Sequence, residues 1–284
     1  WQFSGQDSLQ ARLTLKDNGE WKASSEIRLE GSGFVNAGLD LTGENISMAL
    51  NQEASGNLER APASLKTSLQ VTKGEILFER FYLDLEKNSF ALNGSGVYDY
   101  AQKSFHLSEL ELWLKDLLAV NAQGTLSHGS DSWASALQAK IPKTDVEPLF
   151  RHFLLEPFRQ EKAFLSNLDL EGSVSADLEL KSRRGDFTLR GRCRWEEGNV
   201  ESLDKTFSVQ GIHLDLPLWL QGKGIIGKDG SLVKPKGRSR RRRGPVREET
   251  LRGSLRIRSA AFPMLPAQPF MFQWEGMLNQ TLRG

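Results

Sequence analysis

Apolar residues in this chain recur at every second position, in short runs that keep the same grammar from one end to the other. Leu9, Ala11, Leu13 and Leu15 alternate with polar residues and run into the turn triplet Asp17-Asn18-Gly19. Ala23, Ile27 and Leu29 follow, then Ile46, Met48 and Leu50. Leu65, Leu69 and Val71 lead through Lys73-Gly74 into Ile76 and Phe78. Phe81, Leu83 and Leu85 turn at Lys87-Asn88 into Phe90 and Leu92, and Phe105, Leu107, Leu110, Leu112 and Leu114 come after them. The pattern resumes at Leu168 and Leu170, continues through Val174, Ala176, Leu178 and Leu180, and turns at Arg184-Gly185-Asp186 into Phe187 and Leu189. Ile212, Leu214 and Leu216, then Leu255 and Ile257, then Phe270, Phe272 and Trp274 complete it.

A period of two places successive side chains on opposite faces of a strand, so each run buries one face and wets the other. The turns carry Gly, Asn and Asp, which tolerate the positive φ that tight hairpins require. This predicts a mainly β chain of roughly 14–16 strands, mostly 5–8 residues long, in an antiparallel meander. A loose unit recurs, whose returning half is visible in Phe90-Ala-Leu92-Asn-Gly94 and Phe187-Thr-Leu189-Arg-Gly191.

Two segments break the period. Between Lys143 and Asn167, Val146, Leu149, Phe150, Phe153 and Leu154 stand at helical spacing, with Asp145 as N-cap and Pro148 in the first turn. Pro157 is expected to kink or end that helix, and a second short helix is expected over 158–165. The stretch 222–247 is rich in Gly, Lys and Arg, contains Pro235 and Pro245, and holds the run Arg240–Arg243. The expected organisation is a β segment over 1–142, a helical insertion over 143–167, and a continuing β segment over 168–284 that carries a disordered basic loop at 222–247.

Length and charge narrow the function classes. The chain has 284 residues, 37 Lys+Arg and 36 Asp+Glu, for a net charge of +1. So small a net charge supplies no global attraction to nucleic acid, and any electrostatic role is local. With Cys193 as the one cysteine, an internal disulfide and a cysteine-based zinc site are both ruled out. No apolar run approaches the ~18 residues of a membrane helix. The chain opens on Trp1 rather than Met, and reads as an internal or C-terminal piece of a longer protein.

Candidate chemistry is sparse. His106, His128, His152 and His213 are scattered without metal-ligand spacing, and His106 falls on the polar side of its strand. His128-Gly-Ser130-Asp131 gathers triad residue types in a polar turn, but no nucleophile elbow or orienting third group accompanies them. Gly222-Lys-Gly224-Ile-Ile-Gly227 matches a dinucleotide fingerprint in letters alone, since no helix follows it. Cys193, beside Trp195 on an alternating strand, reads as a small core residue. Arg240, Arg241, Arg242 and Arg243 form a solvated loop or a contact for anionic headgroups. They lack the interleaved aromatics of a single-strand nucleic-acid site. Asn45, Asn93 and Asn279 head glycosylation sequons, which matter only in a eukaryotic secretory route.

Long trains of amphipathic strands, Gly-ended hairpins, one helical interruption and no catalytic cluster resemble the AsmA-like superfamily, of the TamB and YdbH type. The resemblance is strongest over 73–126, in Lys73-Gly-Glu-Ile-Leu-Phe78 and the run from Ser104 to Leu126. It extends over 250–277, where Leu251-Arg-Gly-Ser-Leu-Arg-Ile257 leads into Phe270-Met-Phe-Gln-Trp274. It rests on pattern, without a diagnostic motif, and the Gly/Arg-rich insertion departs from it. The resemblance implies a twisted sheet curled into a half-pipe, apolar inside, that passes phospholipids between inner and outer membranes. It implies no cofactor and no catalysis, and a periplasmic location with an inner-membrane anchor in a segment outside this chain. Its implied partners are phospholipids, the rest of a longer parent chain and other envelope proteins. The groove lining would be Ile76, Phe78, Leu83, Leu85, Phe90, Leu92, Leu110, Leu112 and Leu114. Ordinary core packing is the competing role for each of them. Three other readings share the alternation: a closed β-sandwich or solenoid binding module, an outer-membrane barrel, and an enzyme. Strand runs shorter than the ~9–11 residues of a transmembrane strand argue against the barrel.

Overall fold

The computed structural model describes residues 2–36, 41–58, 62–128, 133–183, 186–223, 251–262 and 265–276. Among them fourteen strands form one antiparallel sheet in which neighbours in the chain are neighbours in space. They are β1 (Gln2–Leu15), β2 (Glu20–Val35), β3 (Leu41–Asn57), β4 (Ala63–Phe78), β5 (Phe81–Asp84), β6 (Phe90–Asp99) and β7 (Ser104–Leu114). After these come β8 (Leu118–His128), β9 (Trp133–Asp145), β10 (Leu168–Arg183), β11 (Asp186–Ser202), β12 (Ser208–Lys223), β13 (Leu251–Phe262) and β14 (Leu265–Gly276). The order is linear from β1 to β14, with β5 set beside one end of β4, and it does not close into a barrel. The chain divides into two compact units, Trp1–Thr125 with Thr144–Asn167, and Leu126–Lys143 with Leu168–Gly284.

Most strands are longer than the sequence pattern suggests. β2, β4, β10 and β12 have 16 residues each, and β3 and β11 have 17. Strand length therefore gives no ground against a barrel, and the linear order supplies that ground instead. The reason is that many glycines lie inside strands rather than at turns. Gly5, at φ +123°, sits where β1 slips register against β2, and a Cβ there would lie 2.5 Å from Ser32. Gly31 and Ser32 mark the slip of β2 against β3, Asn45 at φ 52° the slip of β3 against β4, and Gly74 at φ +119° lies beside Asn45 and Ile46. One line of irregularities thus crosses four strands. In the second unit Gly172, Glu197-Gly198 and Gly211 form a similar line across β10, β11 and β12.

Bulges bend and twist a strand locally, and each hydrophobic cluster gathers beside such a line. Ile46, Val71 and Leu85 are buried together, with Phe34, Met48, Leu69, Ile76, Leu83 and Phe90 packed around them. In the second unit Ile212, Ile257 and Ala260 are buried against Trp195, Val200, Val209, Leu214 and Leu255. At the true hairpins, left-handed residues close the turn: Gly19, Lys103, Asp116 and Lys205. In the first, Gly19 donates its N–H to the Lys16 carbonyl at 3.0 Å, and Asn18 Oδ1 accepts from the Glu20 N–H at 3.1 Å.

The helical insertion differs in detail from the expectation. Helix α1 (Val146–Phe150) passes without a break into a π turn (Arg151–Leu155) and then into α2 (Glu156–Phe158). Pro157 cannot donate a backbone N–H, and its ring crowds the preceding turn. The wider π turn, in which the Glu156 N–H reaches the Arg151 carbonyl, takes up that conflict and carries the helix past the proline by one residue. Asp145 occupies the N-cap position with extended backbone but makes no capping hydrogen bond through its side chain. A short 3-10 turn (Ala163–Asn167) replaces the second helix expected over 158–165. No helix among the described residues is long and apolar enough to cross a membrane. The basic loop 224–247 lies outside the described residues.

The bulge line makes Gly74 a sensitive position. An alanine there must hold a positive φ and meet the Ile46 Cα at 2.8 Å and the Asn45 carbonyl oxygen at 2.9 Å. Gly74→Ala is therefore expected to destabilise the protein by about 1–3 kcal/mol in urea unfolding. Gly94→Ala, where the nearest atoms are side-chain methyls of Leu110 and Thr67 at 3.3 Å, should cost distinctly less. Equal midpoints for the two variants would contradict the role assigned to the bulge line.

Candidate functional site: an uncovered apolar face

Residues paired across a sheet share a face, so register decides which side chains form a surface. In the first unit Leu9, Ile27, Leu50, Leu69, Leu92 and Leu112 pair in succession across β1, β2, β3, β4, β6 and β7. This is one unbroken row of six aliphatic side chains. The next row on the same face begins at Asp7 in β1 and runs on through Leu29, Met48, Val71, Phe90 and Leu114. On the other side of the first row, Ser25, Gln52, Thr67 and Gly94 bring in polar and small residues before Leu110, with Ser25 Oγ donating to Gln52 Oε1 at 3.3 Å. Beyond them Leu13, Ala23, Ala54, Leu65, Gly96 and Leu107 restore the apolar character.

The opposite face of the same strands is mostly polar, with Ala49, Ala91 and Trp113 as apolar members of the row that starts at Ser8 and Arg28. Gln10, Glu26, Asn51, Ser68, Asn93 and Glu111 form one row, and Arg12, Ser24, Glu53, Lys66, Ser95 and Glu109 the next. A hollow of about 300 Å³ opens on this side where short Ser68, Asn93 and Ser95 lie between the longer Glu53, Lys66, Glu109 and Glu111. Its carboxylates do not converge, and among the described residues no three His, Cys, Asp or Glu side chains gather as metal ligands.

The apolar rows are not sealed. Ile27, Leu50, Leu69, Leu92 and Leu112 are all half-buried, while Leu9 at the edge is 67% exposed. In two apposed sheets the inward leucines would vanish from solvent. Here the cluster at the bulge line is fully buried, while the leucines of the first row are not. The second unit repeats the arrangement: Val174, Trp195, Leu214 and Leu255 pair across β10, β11, β12 and β13. Its polar face carries diagonal ion pairs, Arg194 with Asp177 at 3.0 Å and Arg192 with Asp215 at 2.6 Å. Such half-exposed pairs contribute at most about 1 kcal/mol each.

Of the nine lining candidates, Phe90, Leu92, Leu110, Leu112 and Leu114 lie on this face, all half-buried. Ile76 pairs with Leu83, and Phe78 pairs with Phe81 at 47% exposure. Leu85 is different. It is 1% exposed inside the cluster, with its N–H on the Gly74 carbonyl at 2.8 Å, and it serves packing rather than open surface. Arg240, Arg241, Arg242 and Arg243 lie outside the described residues. Sequence reasoning missed Leu9, Ile27, Leu50 and Leu69 as members of the same row. Their alternation was visible, but the register that aligns them was not.

The helical insertion is fastened at the β5 end of this unit. The Phe158 ring meets Phe81 edge-on with centroids 6.4 Å apart, the Arg80 guanidinium lies 4.8 Å over Phe158, and Arg80 reaches Glu161 at 3.0 Å. The histidines stay apart. His106 Nδ1 lies 3.5 Å from Thr125 Oγ1, and His152 pairs with Glu156 on its own helix. In the second unit Lys143 pairs with Glu196, which holds the Glu196 carboxyl below the usual carboxylate range.

Cys193 pairs with Ala176 on one side and Leu216 on the other, and burial pushes its thiol above the ordinary value. Because the thiolate is the reactive form, Cys193 in the native protein is expected to alkylate roughly tenfold more slowly at pH 8 than in urea. Equal rates in the two conditions would place it in solvent.

Compared with protein-family models, curated proteins and solved structures, the chain matches none.

Proposed function

We propose that this chain is a segment of a bridge-like lipid-transfer protein, holding phospholipid acyl chains against its apolar face while headgroups and the polar face remain in water. The observation that carries this reading is the unbroken row Leu9-Ile27-Leu50-Leu69-Leu92-Leu112, left partly exposed with a fully polar row behind it. A surface of this kind is unfavourable in water and favourable against hydrocarbon, at about 0.8 kcal/mol for each CH2 removed from water. Many shallow contacts along a row, with no enclosing pocket, let a chain slide rather than lodge. A sheet curled along its strand order would turn such rows into a continuous channel lining. On this reading the protein works between the two membranes of a bacterial envelope, within a longer parent chain, without cofactor or catalytic step.

A scaffold module with the same strand pattern needs no open apolar face, and the half-exposed leucines favour lipid over that alternative. The test is native mass spectrometry of the purified chain with extraction and identification of bound lipid. Phospholipid is expected in near-stoichiometric amount. Leu112→Asp should lower it by roughly tenfold or more, since a carboxylate must be desolvated against the acyl chains. Ser68→Asp, on the polar face, should leave it unchanged. A folded, soluble chain free of lipid would overturn the proposal and favour the scaffold module.

A further inference from the structure

Ser25, Gln52 and Thr67 interrupt the apolar face of the first unit, and they do so with neutral groups only. Each stands between two apolar residues of its own strand. Ser25 lies between Ala23 and Ile27, Gln52 between Leu50 and Ala54, and Thr67 between Leu65 and Leu69. Neighbouring strands are about 4.8 Å apart and residues two apart on a strand about 7 Å, so the three groups span roughly 10 Å with an apolar row close on either side.

This row holds more hydrogen-bonding capacity than the fold uses. Ser25 Oγ donates to Gln52 Oε1 at 3.3 Å, which leaves the Gln52 amide N–H groups without an acceptor among the described residues. The Thr67 hydroxyl likewise has no partner among them. Its methyl is the atom turned toward Gly94. Gln52 is exposed, and Ser25 and Thr67 are half-buried. In water these donors are hydrated. Hydrocarbon lying over the rows on either side would strip that water and leave an amide and a hydroxyl unpaired, which is costly. A ligand that covers this face without the penalty must bring acceptors of its own.

Charge narrows the acceptor. Across β2, β3 and β4 no Lys, Arg, Asp or Glu stands in this row or in the two rows beside it. A phosphate placed here would be desolvated without a counter-charge, whereas a carbonyl oxygen needs none. Acyl ester carbonyls are neutral acceptors at the boundary between acyl chain and headgroup.

We infer that Ser25, Gln52 and Thr67 form a selectivity row. Gln52 Nε2 and Thr67 Oγ1 donate to the ester carbonyls of a diacylglycerolipid whose chains lie on the adjoining apolar rows. Ser25 acts through Gln52, holding its Oε1 so that the N–H groups stay available. The inference rests on the lipid reading above and adds the linkage chemistry of the ligand: ester-linked chains are favoured over ether-linked ones.

The full chain is offered an equimolar mixture of dipalmitoyl phosphatidylcholine and its dihexadecyl ether analogue, and bound lipids are compared by native mass spectrometry. The two share headgroup and chain length and differ in the carbonyls. Wild type is expected to hold roughly three- to tenfold more of the ester lipid, the range of one neutral hydrogen bond. Thr67→Val combined with Gln52→Met should bring the ratio close to one with lipid still bound. Ser68→Ala, on the opposite face, should leave the ratio as in wild type. A wild-type ratio near one, or a ratio that survives in the double variant, would overturn this inference and leave the lipid reading standing. So would loss of both lipids from a double variant whose circular dichroism spectrum is unchanged. Capture of neither lipid by wild type would overturn the lipid reading itself, and this inference with it.

Discussion

Everything in this protein depends on cross-strand register. A sheet side chain belongs to one face or the other by parity alone, and a slip of one residue would move a whole run of leucines to the opposite side. Keeping six strands aligned so that Leu9, Ile27, Leu50, Leu69, Leu92 and Leu112 share a row is therefore a strict requirement. Two devices meet it. Tight hairpins closed by the left-handed residues Gly19, Lys103, Asp116 and Lys205 fix where the strands beside them turn back. Where an extra residue enters, as at Asn45, the neighbouring strands answer with Gly31 and Gly74, so the irregularity is shared and parity is recovered beyond it.

The same bulge lines decide where the core lies. Burial concentrates where the strands bend, at Ile46, Val71 and Leu85 in one unit and at Ile212, Ile257 and Ala260 in the other. The rows away from the bends keep a half-exposed surface. Stability and surface are thus separated within one face: the bend supplies the packing, and the straight parts stay partly exposed.

The sequence disclosed much of this and hid a particular part. Alternation at Leu65-Leu69-Val71 or Leu110-Leu112-Leu114 identified strands and their inward residues, because a period of two has no other simple source. The helical insertion was equally legible from Val146, Leu149, Phe150 and Phe153. Strand length was not, because Gly31, Gly43 and Gly74 look like turn residues in sequence and serve as in-strand bulges or points of close approach in the fold. Nor could the sequence separate Leu85, sealed in the cluster, from Leu83, which remains half-exposed two residues earlier. That distinction depends on the Gly74 carbonyl drawing the Leu85 N–H inward. The π turn ahead of Pro157 was out of reach for a similar reason: it is a compromise between a proline and a helix held in place by Phe158 on Phe81.

The central claim is that lipid contacts one face of a two-faced sheet, and Leu92 and Asn93 allow it to be tested with a shift of a single position. They are neighbours in β6, yet Leu92 stands in the aliphatic row between Leu69 and Leu112, and Asn93 in the polar row between Ser68 and Glu111. A photoreactive amino acid placed at each position in turn, irradiated with phospholipid vesicles, reports which side meets acyl chains. The account predicts phospholipid adducts at 92 and none above background at 93. Equal labelling at both positions, or labelling at 93 alone, would contradict it.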